Sequence, residues 1–248
     1  MINITVEKSF LQRFLKTIGR LCDSCTVKIE DDQIYSISSS SDNIVILYIK
    51  GILPEKQEQP YKLNIIDIQR FLCGLDCLDS AFIELIINEN YLKCQTKDIP
   101  DKTHFKYHLV DDSVMSKTPF SLKKISNLKF DTEFSIPLPC QNKIMSAYSF
   151  SPDVSKIYFK ENNGSIFAEI NDLTQYNKDS VEFKVSDKYI GDLIKQPTPI
   201  SIELFKNLIY TKNSNINVKI NNEYKVFVFN VKEDEFIDVK YITSALVK

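Results

Sequence analysis

The residue types that carry most enzyme chemistry are scarce in this chain, and their spacing does not build a site. The 248 residues hold two histidines, His104 and His108, both inside "KTHFKYHLV", which reads as a β-strand. Four residues along a strand span about 13 Å, so the two rings cannot share one metal ion. Six cysteines include two spaced pairs, Cys22 with Cys25 in "CDSC" and Cys73 with Cys77 in "CGLDC", the halves of a zinc site if brought together. The first pair straddles a helix end with no knuckle glycine. The second lies in a segment whose apolar periodicity is already that of core packing, so the thiols are read as reduced core residues and no metal is expected. Asp31 with Asp32 and Asp111 with Asp112 are paired acids at turns, and no nucleophile, base and orienter assemble around them. Five glycines leave no GxGxxG or GxxxxGK loop for a nucleotide phosphate. Neither enzymatic activity nor a cofactor is expected.

What remains is charge carried on helices. In "KSFLQRFLKTIGRL", residues 8 to 21, Phe10, Phe14, Leu15, Ile18 and Leu21 recur at helical spacing, with Arg13, Lys16 and Arg20 opposite. A solvated outer face is the ordinary reading of such charges. The absence of acids argues for more, because a helix laced for stability mixes signs in i,i+4 pairs. Three further helices are predicted, over 65–76, about 139–148 and about 202–210. Asn64 caps the first, with Asp67 three residues on; Pro139 takes the first helical position of the second; Ser201 opens the third. Arg70, Lys143, Lys206 and Lys212 extend the outward positive charge, with Glu203 the exception.

These helices fall at equivalent places in a duplicated chain. Residues 83 to 112 can be laid over 216 to 245 without a gap. Both read as three strands, with Asn88, Glu89, Asn90 and Tyr91 beside Asn221, Asn222, Glu223 and Tyr224 at a tight turn. Residues 25 to 49 correspond more loosely to 154 to 177. The order in each half is strand, helix, strands, helix, three strands. This defines halves over 1–111 and 133–248, joined by a lysine-containing connector over 112–132.

Hydrophobic residues make up 43% and charged residues 26% of the chain, a globular balance. No run approaches the roughly 18 apolar residues of a membrane span, and no secretory leader is recognised at the N-terminus, so a cytoplasmic setting is expected. A net charge of −2 gives no bulk attraction to nucleic acid, so any such binding needs charge gathered on one surface.

Two tandem α+β domains of two helices and curved antiparallel sheets, joined by a long connector, resemble the DNA sliding clamps of the PCNA class, closest to those of T-even-type bacteriophages. The resemblance covers essentially the whole chain and rests on architecture, length and repeat pattern. It implies a homotrimeric ring around double-stranded DNA, with helices lining the hole, and so Arg13, Lys16, Arg20, Arg70, Lys143, Lys206 and Lys212 facing phosphates. It implies a polymerase and a clamp loader as partners, in the host cytoplasm if the protein is phage-encoded. Their tails would dock beside the connector at Ile125, Leu128, Phe130, Tyr241 and Leu246, unless these residues only anchor the connector to its sheet. Other readings are a non-ring viral processivity factor, a checkpoint-type clamp homologue, or a structural β-rich virion protein.

Overall fold

The computed structural model describes residues 2–97, 102–115, 127–172, 179–194, 196–209, 215–232 and 235–246. The chain divides into two compact units, Met1–Pro119 and Phe120–Lys248, the boundary falling inside the 112–132 stretch.

The first unit runs β1 (Ile2–Glu7), α1 (Lys8–Gly19), β2 (Cys25–Ser39), β3 (Val45–Ile65), α2 (Ile68–Asp76), β4 (Phe82–Ile87), β5 (Tyr91–Thr96) and β6 (His104–His108). β1, β4, β5 and β6 form an antiparallel sheet in that order. Its inner face, with Ile4, Val6, Ile83, Leu85, Leu92 and Tyr107 buried, meets the apolar stripes of the helices. α1 buries Phe10, Leu11, Phe14, Leu15, Thr17 and Ile18, and α2 buries Ile68, Phe71, Leu72 and Leu75. Phe71 stands edge-on to Phe105 at 5.5 Å and to Tyr107 at 5.1 Å, a favoured aromatic geometry. Gly51 lets α1 approach β3, since a Cβ there would lie 2.6 Å from the Phe10 ring.

β2 doubles back on itself. Ser36 Oγ donates to Thr26 O at 2.9 Å, although ten residues of straight strand would separate them by about 33 Å. The fold-back is at Asp31, whose φ is 54°. The pairing with β3 jumps there, from Ile29 opposite Tyr61 to Gln33 opposite Ile52.

The second unit runs β7 (Thr132–Ile136), α3 (Leu138–Phe150), β8 (Lys156–Asn162), β9 (Ser165–Ile170), β10 (Val181–Ser186), β11 (Ile190–Gly191), β12 (Thr198–Ser201), α4 (Ile202–Ile209), β13 (Ile216–Asn221), β14 (Val226–Lys232) and β15 (Ile237–Ser244). One sheet is ordered β10, β9, β8, β12. In the other, β7, β13, β14 and β15 follow the same antiparallel order as β1, β4, β5 and β6, with β11 added beside β7. The β8–β9 hairpin turns at Asn163 and Gly164, both at positive φ, the demand of a two-residue hairpin loop. It occupies the place that the fold-back at Asp31 takes in the first unit. Each unit is thus α+β, two helices on antiparallel sheets.

Several expectations need correction. The gapless overlay of residues 83 to 112 on 216 to 245 slips by two at the turn: Ile87 faces Leu92 across the first hairpin, whereas Ile220 faces Phe227 across the second. Tyr91 therefore opens a strand, while Tyr224 sits exposed in a turn that Asn221 Oδ1 closes by accepting the Tyr224 N–H at 2.6 Å. α2 begins three residues later than expected. Asp67 is its N-cap, accepting the Arg70 N–H at 2.8 Å in the ordinary capping geometry. Asn64 instead belongs to β3 and donates to Val110 O and Asp112 Oδ1. Pro139 is the second residue of α3, behind Leu138, and Leu21 lies beyond the end of α1.

Candidate nucleic-acid interface

α1 and α2 pack side by side in the first unit. Gly19 allows it, since a Cβ there would lie 3.2 Å from Ile68 Cγ2. Gln12 Nε2 donates to Asp76 Oδ1 at 2.6 Å, so the one acid of α2 is already held by α1. On the sides turned away from the core, Lys16 and Arg70 are exposed, and Arg13 and Arg20 are half-buried. Arg13 Nη1 donates to Ser9 Oγ at 3.1 Å one turn back, which steadies the guanidinium along the helix. The sequence places all four away from the core but does not reveal the Gln12–Asp76 bridge, for which i,i+4 spacing offers no signal.

In the second unit Lys143 is exposed and is the one charged residue of α3. Asn142 and Ser146 share the exposed side, while Gln141 is buried, with its Nε2 donating to Ile136 O at 3.1 Å. α4 carries Glu203 in its first turn, where the helix dipole favours an acid. The side chain of Lys206, and Lys212 and Ile125 altogether, lie outside the described residues. The four helices thus carry Lys8, Arg13, Lys16, Arg70, Lys143 and Lys206 against Asp76 and Glu203. The whole chain is at −2, so the acid surplus belongs to strands and loops.

Of the residues expected beside the connector, Leu128, Phe130 and Leu246 are half-buried, whereas Tyr241 is fully buried in its sheet. The Leu246 N–H donates to Pro199 O at 2.9 Å. Asn221 Nδ2 donates to Lys129 O at 2.7 Å, and the Asn222 N–H donates to Asp131 Oδ2 at 2.9 Å. These two asparagines, read in the sequence only as turn residues, fasten the described end of the connector to β13.

The cysteines divide. Cys25 and Cys94 are buried, and burial pushes both thiols well above their ordinary range. Cys73 and Cys77 are exposed, which corrects their reading as core residues: both fall on the side of α2 that carries Arg70. Among the described residues no three His, Cys, Asp or Glu side chains converge on a metal position. Purified protein is expected to contain no stoichiometric zinc, and EDTA is expected to leave its unfolding midpoint unchanged, since a structural zinc contributes folding free energy directly. One zinc per chain by elemental analysis would overturn this. No helix among the described residues is long and apolar enough to cross a membrane.

No family model matches the sequence, and no curated protein matches it. Solved structures do. The A. fulgidus PCNA with the C-terminal region of FEN-1 bound matches over 100% of this chain and 99% of its own, with a TM-score of 0.77 at 15% identity. PCNA from Thermococcus kodakaraensis matches over 98% and 99%, with 0.73 at 13%. The proliferating cellular nuclear antigen of Entamoeba histolytica matches over 99% and 98%, with 0.74 at 12%. With two units of one repeated topology and helices that carry six basic residues against two acids, the chain has the fold of the DNA sliding clamps.

Proposed function

We propose that the protein is a sliding clamp, a non-enzymatic processivity factor that closes as a homotrimeric ring around duplex DNA and tethers a DNA polymerase. The observation that carries this reading is the basic charge turned away from the core on α1, α2 and α3, in both halves of a clamp fold whose net charge is negative. A ring holds DNA by topology, so its contacts need only be weak. Lysine and arginine to phosphate carry no sequence information and permit sliding. The acid surplus elsewhere discourages DNA from adhering outside.

In this proposal residues 1–111 and 133–248 are the two clamp domains of a subunit. β6 and β10 each end a sheet of their own unit, and pairing such edges between subunits would remove exposed edges and close by rotation. The connector, 112–132, receives polymerase and clamp-loader tails beside Ile125, Leu128, Phe130 and Leu246, with Tyr241 shaping that surface from beneath.

Sedimentation at micromolar concentration is expected to give three chains per particle, and the loaded particle is expected to stay on nicked circular DNA and leave it once the circle is linearised. A monomer that also fails to associate on DNA would defeat the ring. Equal escape from circular and linear DNA would defeat topological holding.

A further inference from the structure

The sheet of the first unit has a second cationic surface, on the face turned away from α1 and α2. Burial alternates along β6: Tyr107 packs inward on Phe71, while His104, Lys106 and His108 are exposed on the other side. The register carries this row onto β5, where Lys106 is opposite Lys93, His104 opposite Gln95 and His108 opposite Tyr91. Lys97 follows at the end of β5, its Nζ donating to Thr5 Oγ1 at 2.9 Å. Two carboxylates share the face and keep their charge, Glu84 Oε2 accepting from Gln95 Nε2 at 2.6 Å and Glu7 accepting from Ser9 Oγ, so three lysines stand against two acids. Lys93, Lys97 and Lys106 form no ion pair with any described residue.

The duplicated sheet of the second unit is built differently. Matching Leu92 to Phe227 by register, Lys93 corresponds to Val228 and Lys106 to Ile242, both buried. Of the lysines on that sheet, Lys232 and Lys240 are exposed opposite Asp238 and Asn230, while Lys219 is neutralised by Glu133 at 3.0 Å. Lys160 is likewise held between Glu169 and Glu182. Lys93 and Lys106 face one another across the strand pair with no ion pair among the described residues, and like charges so placed repel; the Tyr91 ring under Lys106 offsets part of this, and an anionic partner would relieve the rest.

We propose that this outward face of β5 and β6 binds an extended acidic segment of a partner protein. His104, Lys106 and His108 repeat about every 6.7 Å, the repeat of alternate side chains in any extended peptide, so carboxylates at every second position meet the row in register. Single-stranded nucleic acid fits less well, because its binding leans on open aromatic faces and the Tyr91 ring is already covered by Lys106 Nζ at 3.7 Å from its centroid. The proposal does not depend on ring formation.

The test uses the full chain with three fluorescein-labelled probes at low salt: a decapeptide of alternating Asp and Ser, its Lys and Ser counterpart, and a thymidine decamer. The acidic peptide is expected to bind and the basic one not, with affinity falling as salt rises. K93E/K106E is expected to weaken the acidic peptide by about tenfold or more, and K188E/K232E, equal in net charge, by less than about twofold. Thermal melts check that each variant is folded, and should K93E/K106E melt, K93Q/K106Q is expected to weaken binding about threefold. No acidic-peptide binding, equal weakening by both pairs, tighter thymidine binding that depends on the same lysines, or an altered sedimentation of K93E/K106E marking this face as an interface between copies would each overturn the proposal.

Discussion

Replacing Lys16, Arg70 and Lys143 together by glutamate is expected to leave the protein folded and to strip it of most of its hold on DNA. All three are exposed on helix sides turned away from the core, and exposed substitutions change stability by less than about 0.5 kcal/mol each. Arg13 and Arg20 are half-buried, and Arg13 is hydrogen-bonded to Ser9; they are better tested as R13Q and R20Q, which keep a polar stem in place. Removing one lysine or arginine from a phosphate should make the slope of log affinity against log salt shallower by about 0.9. The triple variant should therefore bind less tightly and depend less on salt. On circular DNA it should load poorly and support shorter polymerase runs. K102E/K188E/K232E carries the same change in net charge at exposed positions off the helices and is expected to behave nearly as the unmodified protein. Equal impairment by both triples would mean that net charge alone is being read. An unfolded helix triple with normal retention per folded particle would mean that these faces do not meet DNA.

Those helix positions are legible in the sequence because apolar spacing alone sets which side of a helix is buried. Phe10, Phe14, Leu15 and Ile18 define the buried stripe of α1, and the basic residues follow by exclusion. The duplication is legible as well, since the strand order around β1 and β4 recurs around β7 and β13. What the sequence hides is settled by tertiary contacts. Asn64 and Asp67 are both good caps, and the choice between them is made by β3, which runs on to Ile65 and engages Asn64 with Val110 and Asp112. The two-residue slip at the Tyr224 turn is invisible to an overlay of composition, because both turns are rich in Asn and Glu and only cross-strand pairing distinguishes them. Cys73 and Cys77 sit beside apolar neighbours in sequence, but their stripe on α2 is the outward one. The facing lysines of β5 and β6 read only as residues of strands, because their repulsion arises between strands that are brought together by the hairpin register.

Phe159→Ala is expected to destabilise the second unit by about 3–5 kcal/mol, the range for emptying a fully buried aromatic site. Phe159, on β8, is 0% exposed and is where the two sheets and a helix of that unit meet. Its ring centroid lies 5.5 Å from Phe134 on β7, 6.0 Å from Phe205 on α4 and 6.2 Å from Phe227 on β14. Phe205 also stands edge-on to Phe229 at 5.5 Å and Phe229 stacks on Phe227 at 6.0 Å, so the ring cluster closes on itself. Close-packed aromatic rings cannot collapse into a vacated site without leaving their favoured offsets, so the cavity persists and its full cost is felt. Phe159→Leu keeps most of the volume and should cost less. Phe150→Ala, at a residue 61% exposed, should fall within about 0.5 kcal/mol of the unmodified protein. Urea unfolding followed by tyrosine fluorescence ranks the three. Because α4 is pinned through Phe205 to this cluster, amide exchange in α4 should accelerate in Phe159→Ala before exchange in β13 and β14 does. Uniform acceleration across the unit would show instead that the cluster holds the whole unit together and not the helix in particular.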